Sequence, residues 1–97
     1  MTNVYLVMGM EGEYSDRKEW PVAAYLEQEK AKQHVTAIEM AARAWEALRS
    51  EDRERLCEKF PDAGKTPLDP ENPLQQWETY TRRYWLKSVE LRTEVPT

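Results

Sequence analysis

The stretch Gly9-Met10-Glu11-Gly12-Glu13-Tyr14-Ser15-Asp16-Arg17, set between two short apolar runs, is the least ordinary segment of the sequence. Three chemistries could use it. A glycine-rich phosphate cradle needs a following Lys-Ser/Thr and a helix whose N-terminus faces the phosphate. Neither follows here, and the acids would repel phosphate. A nucleophilic Ser15 needs a base and an oxyanion site. The only histidine is His34, and nothing in the sequence brings the two together. Recognition is the third. Tyr14 and Arg17 are residue types that dominate binding hot spots, and Asp16 could orient the Arg17 guanidinium bidentately. A plain turn, with Ser15 and Asp16 bonding the backbone and Tyr14 covering a sheet edge, explains the same residues and is favoured.

Elsewhere the chemistry is thinner. Cys57 is the sole cysteine, which excludes an internal disulfide and a cysteine-based zinc site. It reads as a buried small hydrophobe rather than a reactive thiol. His34 lies at the rim of an apolar helix face, where a satisfied or solvated ring is the expectation and a metal ligand is not. Glu27, Glu29, Glu39 and Glu46 are spaced as solvated carboxylates of an exposed helix face. Trp77, Tyr80, Tyr84 and Trp85 interleave with Arg82 and Arg83. Such a run can stack bases. It can equally close a small aromatic core with arginines over rings, which is preferred here to protein contact and then to nucleic acid. No catalytic residue, metal or cofactor is implied. The candidate protein-contact residues are Glu11, Glu13, Tyr14, Asp16, Arg17, Trp77, Arg82 and Arg83.

These residues must be positioned by few elements. Val4-Tyr5-Leu6-Val7-Met8 within residues 3–9 is nearly continuous apolar sequence, as expected of a central strand. Trp20 to Leu26 is a second strand, which Pro21 confines to an edge. From Glu27 the period changes. Ala31, Val35, Ile38, Ala42, Trp45 and Leu48 define one face of a helix over 28–49, with Lys30, Lys32, Arg43 and Glu46 opposite. Ser50 reads as the N-cap of a second helix that buries Leu56 and Phe60 and stops at Pro61; one longer helix is the alternative. Four prolines in 61–73 mark a loop that is pinned or functional, and Pro73 to Trp77 could make one helical turn. Tyr84 to Arg92 alternates as a third strand, with Trp85, Val89 and Leu91 on one face, and the tail after Thr93 reads as fraying. The order β-β-α-α-β predicts one α+β domain over residues 1–97. Its three-stranded antiparallel sheet has order 2-1-3, with the long helix on one face.

With 97 residues, 40% apolar and 33% charged, the chain can form one modest core in which four Trp and five Tyr offset a low aliphatic content. A net charge of −4 makes nucleic acid a disfavoured partner. A basic protein surface is compatible with it. No segment approaches the length of a membrane span and the N-terminus lacks a signal-peptide pattern, so a cytoplasmic protein is expected.

Gly12-Glu13-Tyr14-Ser15-Asp16-Arg17, with Val4-Tyr5-Leu6-Val7, Glu19-Trp20-Pro21-Val22-Ala23-Ala24-Tyr25, Ala31, His34-Val35 and the Tyr84 to Leu91 strand, resembles a group of small uncharacterised bacteriophage and prophage proteins. The resemblance covers both ends and not the helical middle. It implies a mobile-element origin and no particular activity. The expected function is protein–protein binding to a host or phage protein, such as inhibition of a host defence system of the CRISPR–Cas kind. The alternatives are a ligand or enzyme pocket between residues 9–17 and 61–80, a virion component or homodimer built through a strand edge, and nucleic-acid binding through an exposed stripe of Arg82, Arg83, Lys87 and Arg92.

Overall fold

A computed structural model describes residues 2–12, 17–71 and 82–91. The elements are β1 (Thr2–Glu11), β2 (Lys18–Tyr25), α1 (Gln28–Glu46), α2 (Ser50–Lys59) and β3 (Arg83–Leu91). The three strands form one antiparallel sheet in the order β2-β1-β3. The α+β class, the element order and the central place of β1 are those expected from the sequence. Val7 is fully buried, and Val4, Leu6 and Met8 on the other face are half-buried. Expected residues 13–16, the Pro73–Trp77 turn, Trp77, Tyr80, Arg92 and the tail after Thr93 lie outside the described residues.

β2 is an edge strand, and it is irregular where Pro21 sits. Val7 faces Ala23, but the next residue of β1, Met8, faces Pro21, which leaves Val22 as an extra residue in a bulge. Strand side chains alternate with a period of two, so an inserted residue moves everything beyond it to the other face. Tyr25 and Ala23 pair with Tyr5 and Val7; past the bulge, Trp20 pairs with Gly9 on that same face. Without the bulge, Trp20 would point away from α1.

α1 lies across this face. Ala31, Ile38 and Ala42 are fully buried, and Val35, Trp45 and Leu48 are half-buried. Ile38 and Ala42 cluster with Tyr84, and Trp20, Val22 and Leu68 pack against them. Arg43 and Glu46, expected on the outer side, instead reach the backbone of Arg82, the residue just before β3. The helix side chains that flank an apolar stripe lie close to the strand edge, and there they find backbone groups that the sheet leaves unpaired.

Residues 28–59 form two helices and not one. Arg49 is extended, at φ −67° and ψ 149°, and interrupts them. Ser50 is the first residue of α2 and not its cap; Arg49 occupies the cap position without a capping side-chain hydrogen bond. Glu51 and Asp52 in the first turn supply the negative charge that a helix N-terminus favours. Phe60 is 54% exposed and Leu56 half-buried, so the expected burial of this pair is not realised for Phe60. α2 buries no residue at all, and the Lys59 ammonium lies 5.8 Å from the centre of the Phe60 ring.

Residues 61–71 form a pinned loop. Turns close through Ala63 N–H to Phe60 O, Lys65 N–H to Asp62 O, and Asp69 N–H to Thr66 O. His34, steadied by Tyr25, ties it to the body. His34 Nε2 lies 2.7 Å from Leu68 O, and His34 Nδ1 lies 2.8 Å from Tyr25 Oη. A carbonyl only accepts, so in the neutral ring Nε2 carries the proton and the Tyr25 hydroxyl donates to Nδ1. His34 is thus satisfied, linking β2, α1 and the loop. Among the described residues, no helix is long and apolar enough to cross a membrane.

Candidate functional site

The residues with chemistry converge where the end of β1, the start of β3 and the proline loop meet. Gly9 is central to this. Trp20 and Tyr84 stand opposite it on either side, from β2 and β3. Their rings meet edge to face across it, with centroids 6.4 Å apart and planes at 89°. A Cβ on Gly9 would lie 2.7 Å from Trp20 Cε2, so this approach requires a residue without a side chain. The indole has little room to yield, because Asp69 and Arg82 hold it. Gly9→Ala is therefore expected to lower stability by about 1–3 kcal/mol, as overpacking does, and equilibrium urea unfolding measures it. A change within 0.5 kcal/mol would mean that Trp20 is mobile there.

Asp69 is 1% exposed. Its Oδ2 accepts from Trp20 Nε1–H at 3.0 Å and from the Tyr84 hydroxyl at 2.8 Å, and lies 4.0 Å from Arg82 Nη1. Arg82 is 4% exposed. Its Nη2 donates to Glu11 Oε2 at 3.3 Å and its Nη1 to Tyr84 Oη at 3.3 Å, while the guanidinium lies 5.1 Å from the Trp20 ring centre. Two carboxylates, one guanidinium, a phenol and an indole thus satisfy one another out of water, which is the condition on which buried charge is tolerated.

The same locality is clamped from α1. Glu39 accepts the Tyr84 N–H, Glu46 Oε1 accepts the Arg82 N–H at 3.1 Å, and Arg43 donates to the Arg82 carbonyl. Arg43 is held in turn by Glu46 at 3.3 Å and Glu39 at 3.9 Å. Positions 39, 43 and 46 share one side of a helix, so a single face of α1 serves three successive backbone groups at the start of β3.

Burial drives the Tyr84 phenol pKa up, beyond the ordinary range, and its bond to Asp69 pushes the same way; Arg82 opposes both. The unfolded phenol ionises near pH 10. Above that pH the unfolded state binds fewer protons than the folded one, so stability falls as pH rises. The stability supplied by the raised value is fully present below about pH 10. In a spectrophotometric titration near 295 nm, one phenol is expected to stay neutral until the protein unfolds. Tyr84→Phe removes that late step, and an unchanged titration curve in this variant would overturn the assignment.

Of the candidate contact residues, Glu11 and Arg82 face one another inside the protein rather than lying on its surface. Arg83 and Arg17 are exposed. Arg17 pairs with Glu19 at 2.6 Å, on the strand side of the loop. Glu13, Tyr14, Asp16 and Trp77 lie outside the described residues. The basic stripe fails at Arg82, because Arg83 and Lys87 point to the face opposite Tyr84 while Arg82 turns inward. Sequence reading missed Asp69, Trp20 and Tyr84 as partners. One signal was available: a glycine inside a strand pattern marks a close approach. Among the described residues, no group of three or more His, Cys, Asp and Glu could hold a metal ion. No protein-family model matches the chain, and neither a curated protein nor a solved structure matches it.

Proposed function

We propose that this chain is a small acidic accessory protein of phage or prophage origin that works in the host cytoplasm by binding a host or phage protein. A component of a defence system such as a CRISPR–Cas ribonucleoprotein is the leading candidate. The origin rests on the Gly12 to Arg17 string and its flanking residues. The binding mode rests on α2. It buries none of its residues, ends in an exposed Phe60, and presents exposed Glu51, Glu54 and Glu58 along one side. An acidic helix of this kind complements a basic groove that otherwise holds phosphate. The ionisable groups of the interior, by contrast, are turned toward one another.

The test is a titration of purified chain against purified defence ribonucleoproteins of its host. A complex is expected, with target cleavage reduced, and Glu51, Glu54 and Glu58 changed together to Lys should weaken it at least about tenfold. Absence of a complex, with cleavage unchanged at excess protein, would overturn the reading.

A second reading has one observation behind it. A cleft of about 350 Å³ lies between β2 and Asp69, Pro70 and Glu71, lined also by Leu6. Its size suits a small ligand. Its lining is mostly apolar, however, and Asp69 Oδ2 is already taken by Trp20 and Tyr84. It uses the proline loop but borders β2 rather than residues 9–17.

A further inference from the structure

An antiparallel sheet of three strands has two edges, and natural proteins guard edges because unpaired backbone groups recruit other strands. The β2 edge carries Pro21, which has no N–H, and a bulge, and Asp69, Pro70 and Glu71 flank it across the cleft. Among the described residues, the β3 edge is guarded over part of its length only. The Arg82 and Tyr84 N–H groups and the Arg82 carbonyl point away from β1, into the side chains of Glu46, Glu39 and Arg43. The pairing of β3 with β1 has no register shift. Backbone direction therefore alternates regularly, and the N–H and C=O groups of Leu86, Ser88 and Glu90 point outward as those of Arg82 and Tyr84 do. Among the described residues, nothing bonds them. One helical turn before Glu39, α1 carries Val35, which has no polar side-chain atom to offer.

We infer that this open segment, Trp85 to Leu91, pairs antiparallel with the same segment of a second copy about a two-fold axis at Ser88, joining two sheets into one of six strands. The segment is symmetric about Ser88, so this register pairs all of it with itself. Trp85 meets Leu91 of the second copy, Leu86 meets Glu90, Lys87 meets Val89, and Ser88 meets Ser88. Like charges are nowhere opposed. Val89 and Leu91, which are 38% and 49% exposed, gain the Lys87 stem and the Trp85 ring as neighbours. The adjacent registers are worse. One sets Lys87 against Lys87 and drives Glu90 onto Tyr84, whose N–H Glu39 already holds. The other leaves Trp85 and Leu86 unpaired. This self-complementarity is what selects a second copy over an unrelated strand. A single strand pair lies at the small end of interface sizes, below about 1,200 Å², so the dimer is a weak one, micromolar or looser.

Two measurements on the full chain test this. The first is mass by sedimentation between about 5 µM and about 1 mM, a range that spans weak association, with amide hydrogen exchange at both ends. A shift toward twice the monomer mass is expected, with the Leu86, Ser88 and Glu90 amides gaining protection at high concentration. The Trp85, Lys87 and Val89 amides, already in the β1 ladder, should not change. Ser88→Pro removes only an outward N–H and should abolish the mass shift while circular dichroism stays unchanged. The second measurement reads the register. In the Cys57→Ser background, Ser88→Cys places two sulfurs across a pair whose Cα atoms are about 5.5 Å apart, within disulfide range. Oxidised glutathione should convert it to a covalent dimer at least about ten times faster than Leu86→Cys or Glu90→Cys, which face other residues. A monomer at every concentration with the three amides exchanging rapidly overturns the inference. So does protection of those amides that is independent of concentration, or equal cross-linking at the three positions. None of these outcomes bears on binding through α2, so the two proposals fail separately.

Discussion

Arg82→Met is expected to lower folding stability by about 3–5 kcal/mol, the range seen when one partner of a buried ion pair is removed. Urea or thermal unfolding followed by far-UV circular dichroism would read it. Arg82 is 4% exposed and stands between Glu11 and Asp69, themselves 9% and 1% exposed. A methionine fills much of the space of the arginine stem but carries no charge and donates nothing. Glu11 loses its 3.3 Å partner and Asp69 its nearby positive charge. Tyr84 Oη loses one donor, and Trp20 loses the cation over its ring. For a domain with a total of about 5–15 kcal/mol, that is a large fraction. The size of the loss belongs to the charges left behind and not to the worth of the pair. Adding Glu11→Leu to Arg82→Met should therefore recover at least about 1 kcal/mol, because the second change removes a stranded carboxylate. If the double variant is less stable than Arg82→Met alone, Glu11 is bonded by something other than Arg82.

Ile38→Ala is expected to cost about 2–5 kcal/mol, toward the upper half of that range. Ile38 is 0% exposed and sits where α1 crosses the sheet, clustered with Ala42 and Tyr84 and backed by Trp20, Val22 and Leu68. Alanine cannot refill the space. The neighbours cannot close it either: Tyr84 and Trp20 are tied to Asp69 by their polar atoms, and relaxing inward would break those bonds. The thermal midpoint should drop by roughly 4–8 °C for each kcal/mol in a domain of this size. Met40 provides an internal control on the same helix. It is 68% exposed, and Met40→Ala should lie within about 0.5 kcal/mol of wild type. Equal effects at the two positions would mean that α1 is rotated from the orientation described.

The fold was legible in the sequence where period and punctuation agreed. Val4 to Met8 is apolar on both faces, which only a central strand requires, and Pro21 confines its strand to an edge. The change of period at Glu27 marks the helix, and Ala31, Ile38 and Ala42 are the residues it buries. The buried cluster was less legible, for a physical reason. Alternation counted back from Tyr25 puts Trp20 on the wrong face, because a bulge shows in sequence only as a proline whose cause is ambiguous. Asp69 sits among Pro67 and Pro70 like any loop acid, and Arg82 among basic neighbours like any surface arginine. Their partnership depends on three segments distant in sequence arriving at one place, which no local pattern encodes. Glu39, Arg43 and Glu46 have helical spacing that suits solvent equally well; their actual partners are backbone groups, which carry no sequence signature.

The middle position of β1 also sets the order of events when the chain is made. A ribosome delivers β1 first and β2 soon after, so the hairpin between them closes over a short loop. β3, the other neighbour of β1, emerges only after α1, α2 and the proline loop. At about 5–20 residues per second, that delay is several seconds, and the long closure makes this pairing the slow step. During it, the nascent chain shows the β3 side of β1, Val4 to Met10, as an unpaired apolar edge. α1 can already rest on the hairpin, but Glu39, Arg43 and Glu46 have nothing yet to hold. The three side chains thus act as a receiving dock, in place before the strand it catches exists.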